Sequence, residues 1–235
     1  MNMFKLLFEK FSYFSSRLLN LNPGAIWGHN NHFYMENQDK KRVLIIEAAL
    51  KRFAHYGLAK TTMTEIAKDI AFSKALLYYY FPDKLSLYVS AIEHLMHIIS
   101  RDLVKSVDKT STSTEGILKL LQKRQAYIQK YYNLFEENQV IGNELPEGLF
   151  EKFQKAKTFE AIIISSLFSR GIASGELAME NPKLTTDIFM DALSGIHFNI
   201  LAKGKMMFPG KDLFKQIFAK EKLFADIFLE GLRAK

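Results

Sequence analysis

Lys74, Tyr78, Tyr79, Tyr80 and Lys84 fall close together in the chain. The chemistry such a group offers is hydrogen bonding to nucleic acid. An ammonium donates to guanine acceptors, and phenol hydroxyls or a further lysine donate to phosphates. Ala75 and Leu76 lie between them and can touch a thymine methyl or simply fit a groove. Upstream, Thr62 and Glu65 have the spacing of a capping box: the hydroxyl accepts from the backbone three residues on, and the carboxylate reaches back. Ser73 reads as a second N-cap. The spacing therefore predicts two short helices, Thr62–Ile70 and Ser73–Phe81, joined as a helix-turn-helix requires. The second of the pair enters a major groove by its N-terminal end. The same residues also fit a packing role: Leu77 and Phe81 read as core, and three consecutive tyrosines can line a core and its rim.

The elements that must hold this pair are helical. Asp39–Tyr56 carries Val43, Ile46, Ala49, Leu50 and Phe53 at spacings of three and four, one apolar face, and Gly57 ends it as a left-handed cap. Asp83, after Pro82, is the N-cap of a long helix from Lys84 to about Val107. A polar Ser/Thr loop at 108–114 precedes a helix over Glu115–Asn138, and Pro146 and Gly148 break the chain. Further helices are expected over Phe150–Ser174, 182–203 and 212–232. With 5 prolines and 12 glycines in 235 residues, the chain favours long helices, and the fold class is all-α.

Composition narrows the function classes. Hydrophobic residues make up 48% and charged residues 24%, as in a packed globular protein. With no cysteine, disulfides and thiolate metal sites are excluded, and a reducing, cytoplasmic setting fits. The net charge of +7 suits a polyanion without demanding one. Between Asp39 and Lys84 there are nine Lys/Arg against five Asp/Glu, which concentrates positive charge on the helix-turn-helix segment. No G-x-S-x-G, P-loop, G-x-G-x-x-G or H-E-x-x-H motif is present, so no enzymatic function and no cofactor is expected. His94 with His97, and His29 with His32, are i, i+3 pairs that lack the further ligands a metal site wants, so no metal is expected.

Residues 1–34 differ from the rest. Phe and Leu dominate up to Leu21, Glu9 and Lys10 interrupt any signal-like core, and Asn22-Pro23-Gly24 reads as a turn. This segment is read as a disordered extension or an over-called start, with Met35 as the natural beginning. A surface-lying amphipathic helix that tethers the chain to a membrane is the alternative. No apolar run approaches the ~18 residues of a spanning helix, so no membrane partner is expected.

The run Ile45-Ile46-Glu47-Ala48-Ala49-Leu50, Phe53, Gly57, Thr61-Thr62, Ile66-Ala67, Ser73-Lys74, Leu77-Tyr78, Tyr80-Phe81, Asp83-Lys84 and Leu87 resembles the TetR-family DNA-binding domain without a gap. Ala71 departs from the family, which usually has a turn glycine there, and Thr64 stands where many relatives carry a basic residue. The resemblance implies a three-helix DNA-binding domain over 35–84 and a helical effector-binding and dimerisation domain over 85–235. It implies operator contacts at Thr62, Thr64, Lys74, Ala75, Leu76, Tyr78, Tyr80 and Lys84, with Lys74 and Leu76 near bases and Tyr78, Tyr80 and Lys84 near phosphates. It implies a homodimer through the helices at about 183–203 and 212–232, a loop near Gly171–Leu177, and a repressor released from a palindromic operator by a small, largely apolar effector. The wide apolar surface of the last helix, from Leu213 to Phe228, agrees independently with a second partner. Tyr127, Tyr131, Phe168 and His197 are the candidate effector-pocket residues, each equally readable as plain core. An architectural or occlusion factor that senses no ligand remains the competing reading on the same fold.

Overall fold

In the computed structural model, residues 37–136, 148–204 and 211–234 are described, with backbone alone at 37–39, 135–136, 201–204 and 211. The expected extension at 1–34, the start at Met35, the ring of Phe135 and the break at Pro146 lie outside the described residues. The described elements are all helices: α1 Asn37–Tyr56, α2 Met63–Asp69, α3 Lys74–Tyr80, α4 Lys84–Val107, α5 Ser113–Lys130, α6 Tyr132–Glu136, α7 Leu149–Ala173, α8 Pro182–Gly204 and α9 Lys211–Gly231. An isolated antiparallel bridge, Leu177 to Arg233, ties the loop after α7 to the segment after α9. Gly171, expected in that loop, is still helical, and a Cβ there would stand 2.6 Å from the Leu177 side chain.

Local sequence sets most helix ends. Gly57 adopts φ +81° after α1. Its N–H donates to the Phe53 carbonyl at 2.9 Å, as a left-handed cap does. Thr62, Ser73, Asp83 and Thr112 cap α2, α3, α4 and α5 through side-chain oxygens that accept from the third residue on.

Two cores share α4. The first joins Ile45, Ala49 and Phe53 of α1 to Ile66, Leu77 and the N-terminal half of α4, where Leu87, Tyr88, Ile92 and Leu95 are fully buried. The second begins at Leu103 and Val107 and gathers α5, α7, α8 and α9 around Phe168 and Phe189. Ile99 packs against both. Packing therefore changes partway along α4 rather than at residue 84, and Leu134 and Leu149 also enter the first core.

The helix expected over Glu115–Asn138 is broken at Tyr131, which has φ −107° and ψ 22°. No glycine or proline causes this. Tyr131 packs toward the first core, whereas Tyr132 is buried with Phe214, Ile217 and Ile200. The Tyr88 hydroxyl, fully buried, donates to the Leu134 carbonyl just beyond. Consecutive residues drawn into different cores do not share one helical face, so the chain re-starts as α6.

His94 of α4 faces α1. Its Nε2 is buried without a hydrogen-bond partner and stands 3.9 Å from the Glu47 carboxylate. Burial lowers its pKa below 6.5; Glu47 opposes this, while Arg101 and His97 add to it. The folded protein thus prefers neutral His94, and the unfolded chain takes the proton first as pH falls. Stability is expected to be fully present above about pH 6.5 and to decline below it until His94 protonates in the fold. Melting temperatures from pH 7.5 to 5 should show this slope, and His94→Leu should flatten it.

Candidate nucleic-acid interface

The helix-turn-helix is α2, a tight turn and α3. Thr62 Oγ1 accepts from the Glu65 N–H at 3.3 Å, and Glu65 Oε2 accepts from the Thr62 N–H at 2.9 Å and from its hydroxyl at 2.7 Å. These hydrogen bonds from Thr62 hold the Glu65 carboxyl below its ordinary value. Arg52 of α1 fixes the other end of α2, donating from Nε and Nη2 to the Asp69 carboxylate at 2.5 and 2.9 Å. Its Nη1 lies 3.4 Å from Glu65. The Asp69 carboxyl is lowered, chiefly by that hydrogen bond from Arg52. One guanidinium so clamps α1 to both acids of α2.

The turn after α2 is a Schellman motif. The Phe72 N–H donates to the Ala67 carbonyl at 2.9 Å and the Ala71 N–H to the Lys68 carbonyl at 3.2 Å. This places Ala71 at φ +54°, the one positive-φ non-glycine residue among those described. The departure from the glycine of the resembled pattern is therefore a strained one. A Cβ in the left-handed region costs roughly 1–2 kcal/mol. Ala71→Gly is expected to stabilise by about 0.5–1 kcal/mol once the greater freedom of an unfolded glycine is set against it. Chemical denaturation of the two proteins checks this.

On α3 the exposed side chains are Lys74, Ala75, Tyr78 and Tyr79, positions i, i+1, i+4 and i+5 of one helical face. Lys74 is the first residue of the helix, and its Nζ lies 5.6 Å from the centroid of the Tyr78 ring. That cation–π contact holds the ammonium on the exposed face. Tyr79 is the most exposed of the large apolar or aromatic residues among those described, at 74%. Its ring meets Tyr80 edge to face at 5.2 Å. The opposite face is inward: Leu77 is fully buried, and Tyr80 packs against the core.

The eight expected contact residues are thus not equivalent. Lys74, Ala75 and Tyr78 share the exposed face of α3. Leu76 and Tyr80 are half-buried at its margins, and Thr64 is exposed on α2. The Thr62 hydroxyl proton is engaged by Glu65. The Lys84 ammonium donates to the Leu58 carbonyl at 2.8 Å, so it tethers the start of α4 to the turn after α1. Tyr79, part of the tyrosine run, was not among the eight contacts that the resemblance implied. Its signal was available: it follows Ala75 by four residues, one turn along the same face.

Beyond α3 the four expected pocket residues lie in different surroundings. Phe168 is fully buried against Phe189, with ring centroids 6.0 Å apart. The Tyr127 hydroxyl donates to Asp102 at 2.9 Å and its ring stacks on Tyr131 at 6.3 Å. Burial, then Asp102, push the Tyr127 pKa up to about 12. His197 Nδ1 is 3.0 Å from Glu221, within a charged network. There Arg124 donates to Glu160 at 2.6 Å and to Glu221 at 2.7 Å. This network joins α5, α7, α8 and α9 and was not anticipated.

An apolar surface faces outward on the last two helices. Leu184 and Ile188 on α8 are 54% and 51% exposed, and Leu223 and Ile227 on α9 are 59% and 65% exposed. Both pairs are spaced i, i+4, so each forms a stripe. Among the described residues no three His, Cys, Asp or Glu converge as metal ligands, and no helix is long and apolar enough to cross a membrane.

Comparison with known proteins bears on this geometry. Residues 45–91 match the family model for bacterial regulatory proteins of the tetR family. The chain is 34% identical over 114 residues to the uncharacterized HTH-type transcriptional regulator YuxN of Bacillus subtilis, covering 46% of this chain. The match spans about a third of YuxN, 35% of its length. A second relative from that organism, the HTH-type regulator YhgD, is 25% identical over 165 residues, which is 68% of this chain and 84% of YhgD. The crystal structure of a transcriptional regulator from Cytophaga hutchinsonii superposes with a TM-score of 0.74 at 28% identity. It covers 83% of this chain and all of the other. These relatives and neighbours are transcriptional regulators, not enzymes. The capped helix-turn-helix thus lies within the stretch that matches the tetR family model, and the all-helical body is similar in fold to a solved transcriptional regulator.

Proposed function

We propose that the protein works as a homodimeric repressor that leaves a palindromic operator when a small, largely apolar molecule binds its larger domain. The observation that carries the DNA-binding part is the exposed face of α3. Lys74 and Tyr78 stand together there on a helix N-capped by Ser73, next to an α2 that Arg52 clamps to α1. A second copy fits the exposed stripes on α8 and α9, since apolar side chains at these exposures on adjacent helices invite burial. Two-fold pairing would set the recognition helices about one DNA turn apart, roughly 34–36 Å.

Release by linkage needs an element that reports on both sites. The helix α4 suits this, because its first half belongs to the core of the helix-turn-helix and its second half to the core of the body. A ligand that binds better to a form with α4 displaced shifts the population away from DNA. Tyr127, Tyr131, Phe168 and His197 are the proposed contacts. Tyr127 is the most direct of them, since its hydroxyl already holds Asp102 of α4.

The experiment is binding of the purified protein to its own upstream DNA against scrambled DNA across a salt series, with mass measured in parallel. Selective binding by a dimer is expected. Leu223→Asp with Ile227→Asp should give a folded monomer with much weaker operator binding. A selective monomer, or equal affinity for every duplex of the same length, would overturn the reading.

A further inference from the structure

The exposed face of α3 limits what base sequence the protein can read. Lys74, Ala75, Tyr78 and Tyr79 offer one ammonium, one methyl and two phenol rings. The helix carries no Asn or Gln to pair with adenine, no Asp or Glu to accept from cytosine, and no Arg. The carboxylates nearest in sequence, Asp83, Asp69 and Glu65, are occupied by Ser86, Arg52 and Thr62. What remains is one cationic donor suited to the guanine acceptors, two phenol hydroxyls suited to phosphates, and apolar surface suited to the thymine methyl.

We infer that each operator half-site is read as a single guanine set among thymines, with Lys74 on the guanine and with Ala75 and the Tyr79 ring against thymine methyls. This rests on the DNA-binding reading above. Tyr78 is a positioning residue: its ring holds the Lys74 ammonium, which restricts the directions in which that flexible side chain donates. Tyr79 lies one turn after Ala75 and exposes nearly three-quarters of its surface, so its ring extends the apolar strip that Ala75 begins. Tyr80, packed against the core, and the half-buried Leu76 are left at the margin.

The test begins with selection of bound duplexes from a random pool by the full-length protein. The expected motif is A·T-rich with one fixed G·C pair per half-site. Each thymine of that motif is then replaced by deoxyuracil, which removes only the methyl. Replacement of the contacted thymine in both half-sites should weaken binding roughly tenfold, as burial of two methyls implies. Tyr79→Phe should keep that penalty and Tyr79→Ala should lower it, while Lys74→Ala should relax the preference at the fixed guanine. A selected motif rich in G·C, or one indifferent to uracil, overturns the inference and leaves sequence-selective regulation standing. A uracil penalty undiminished in Tyr79→Ala also overturns it. A pool that yields no motif overturns the DNA-binding reading itself.

Discussion

Lys74→Ala is expected to weaken operator binding by about 1–3 kcal/mol per half-site, and a dimer loses it twice. The size follows from where the ammonium sits. Lys74 opens α3, the end of a recognition helix that meets base edges, and it is the only cationic side chain on that helix. Neither it nor Ala75 belongs to the core, so the variant should melt with the parent. Affinity for scrambled DNA should fall far less, because the remaining exposed lysines and arginines still meet phosphates. A loss of equal size on operator and scrambled DNA, with the salt slope reduced by about one per contact, would assign Lys74 to the backbone instead. Tyr78→Ala should reproduce part of the effect by freeing the ammonium, whereas Tyr78→Phe, which keeps the ring, should not.

Arg124→Met is expected to cost about 3–5 kcal/mol of stability, the range for removing one partner of a buried ion pair. The reason is what it leaves behind. Glu221 and Glu160 have side-chain exposures of 3% and 13%, and both donate nothing while they are ionised. Burial alone would raise the Glu221 carboxyl, but the hydrogen bond to His197 and the charge of Arg124 outweigh it, and its pKa is lowered. A lowered carboxyl contributes stability above its unfolded value, near 4.5, that is lost as pH falls through the folded value. In the variant the carboxyl loses Arg124 and its pKa rises, so mild acid neutralises it. The deficit between parent and variant should therefore be large at pH 7.5 and shrink toward pH 4. A second change, Glu221→Gln, should restore much of the loss at neutral pH by removing the stranded charge. Urea titrations at the two pH values measure both effects.

The sequence by itself determined the features that arise within a few residues of chain. The capping box of Thr62 and Glu65, the N-caps at Ser73 and Asp83, the left-handed Gly57 and the awkward Ala71 are all visible in it and all present in the fold. Each depends on a hydrogen bond or a backbone angle spanning at most five positions, so residue type and spacing suffice. The helix-turn-helix was legible for that reason, and with it the place of Lys74 and Tyr78.

Only the tertiary structure decided which side of each helix is free. Tyr78, Tyr79 and Tyr80 are identical in type, yet two point outward and one packs inward, because the core of α1 and α4 lies on the Leu77 side. Lys84 reads as a phosphate contact in sequence; the fold brings Leu58, 26 positions away, under its ammonium. Glu176 accepts from the N-terminal backbone of α5, and Arg124 meets Glu221 across 97 positions. The break at Tyr131 has the same origin: no local signal ends the helix, and two cores claim neighbouring side chains. Side-chain partners far apart in sequence are chosen by packing, and packing is a property of the whole chain.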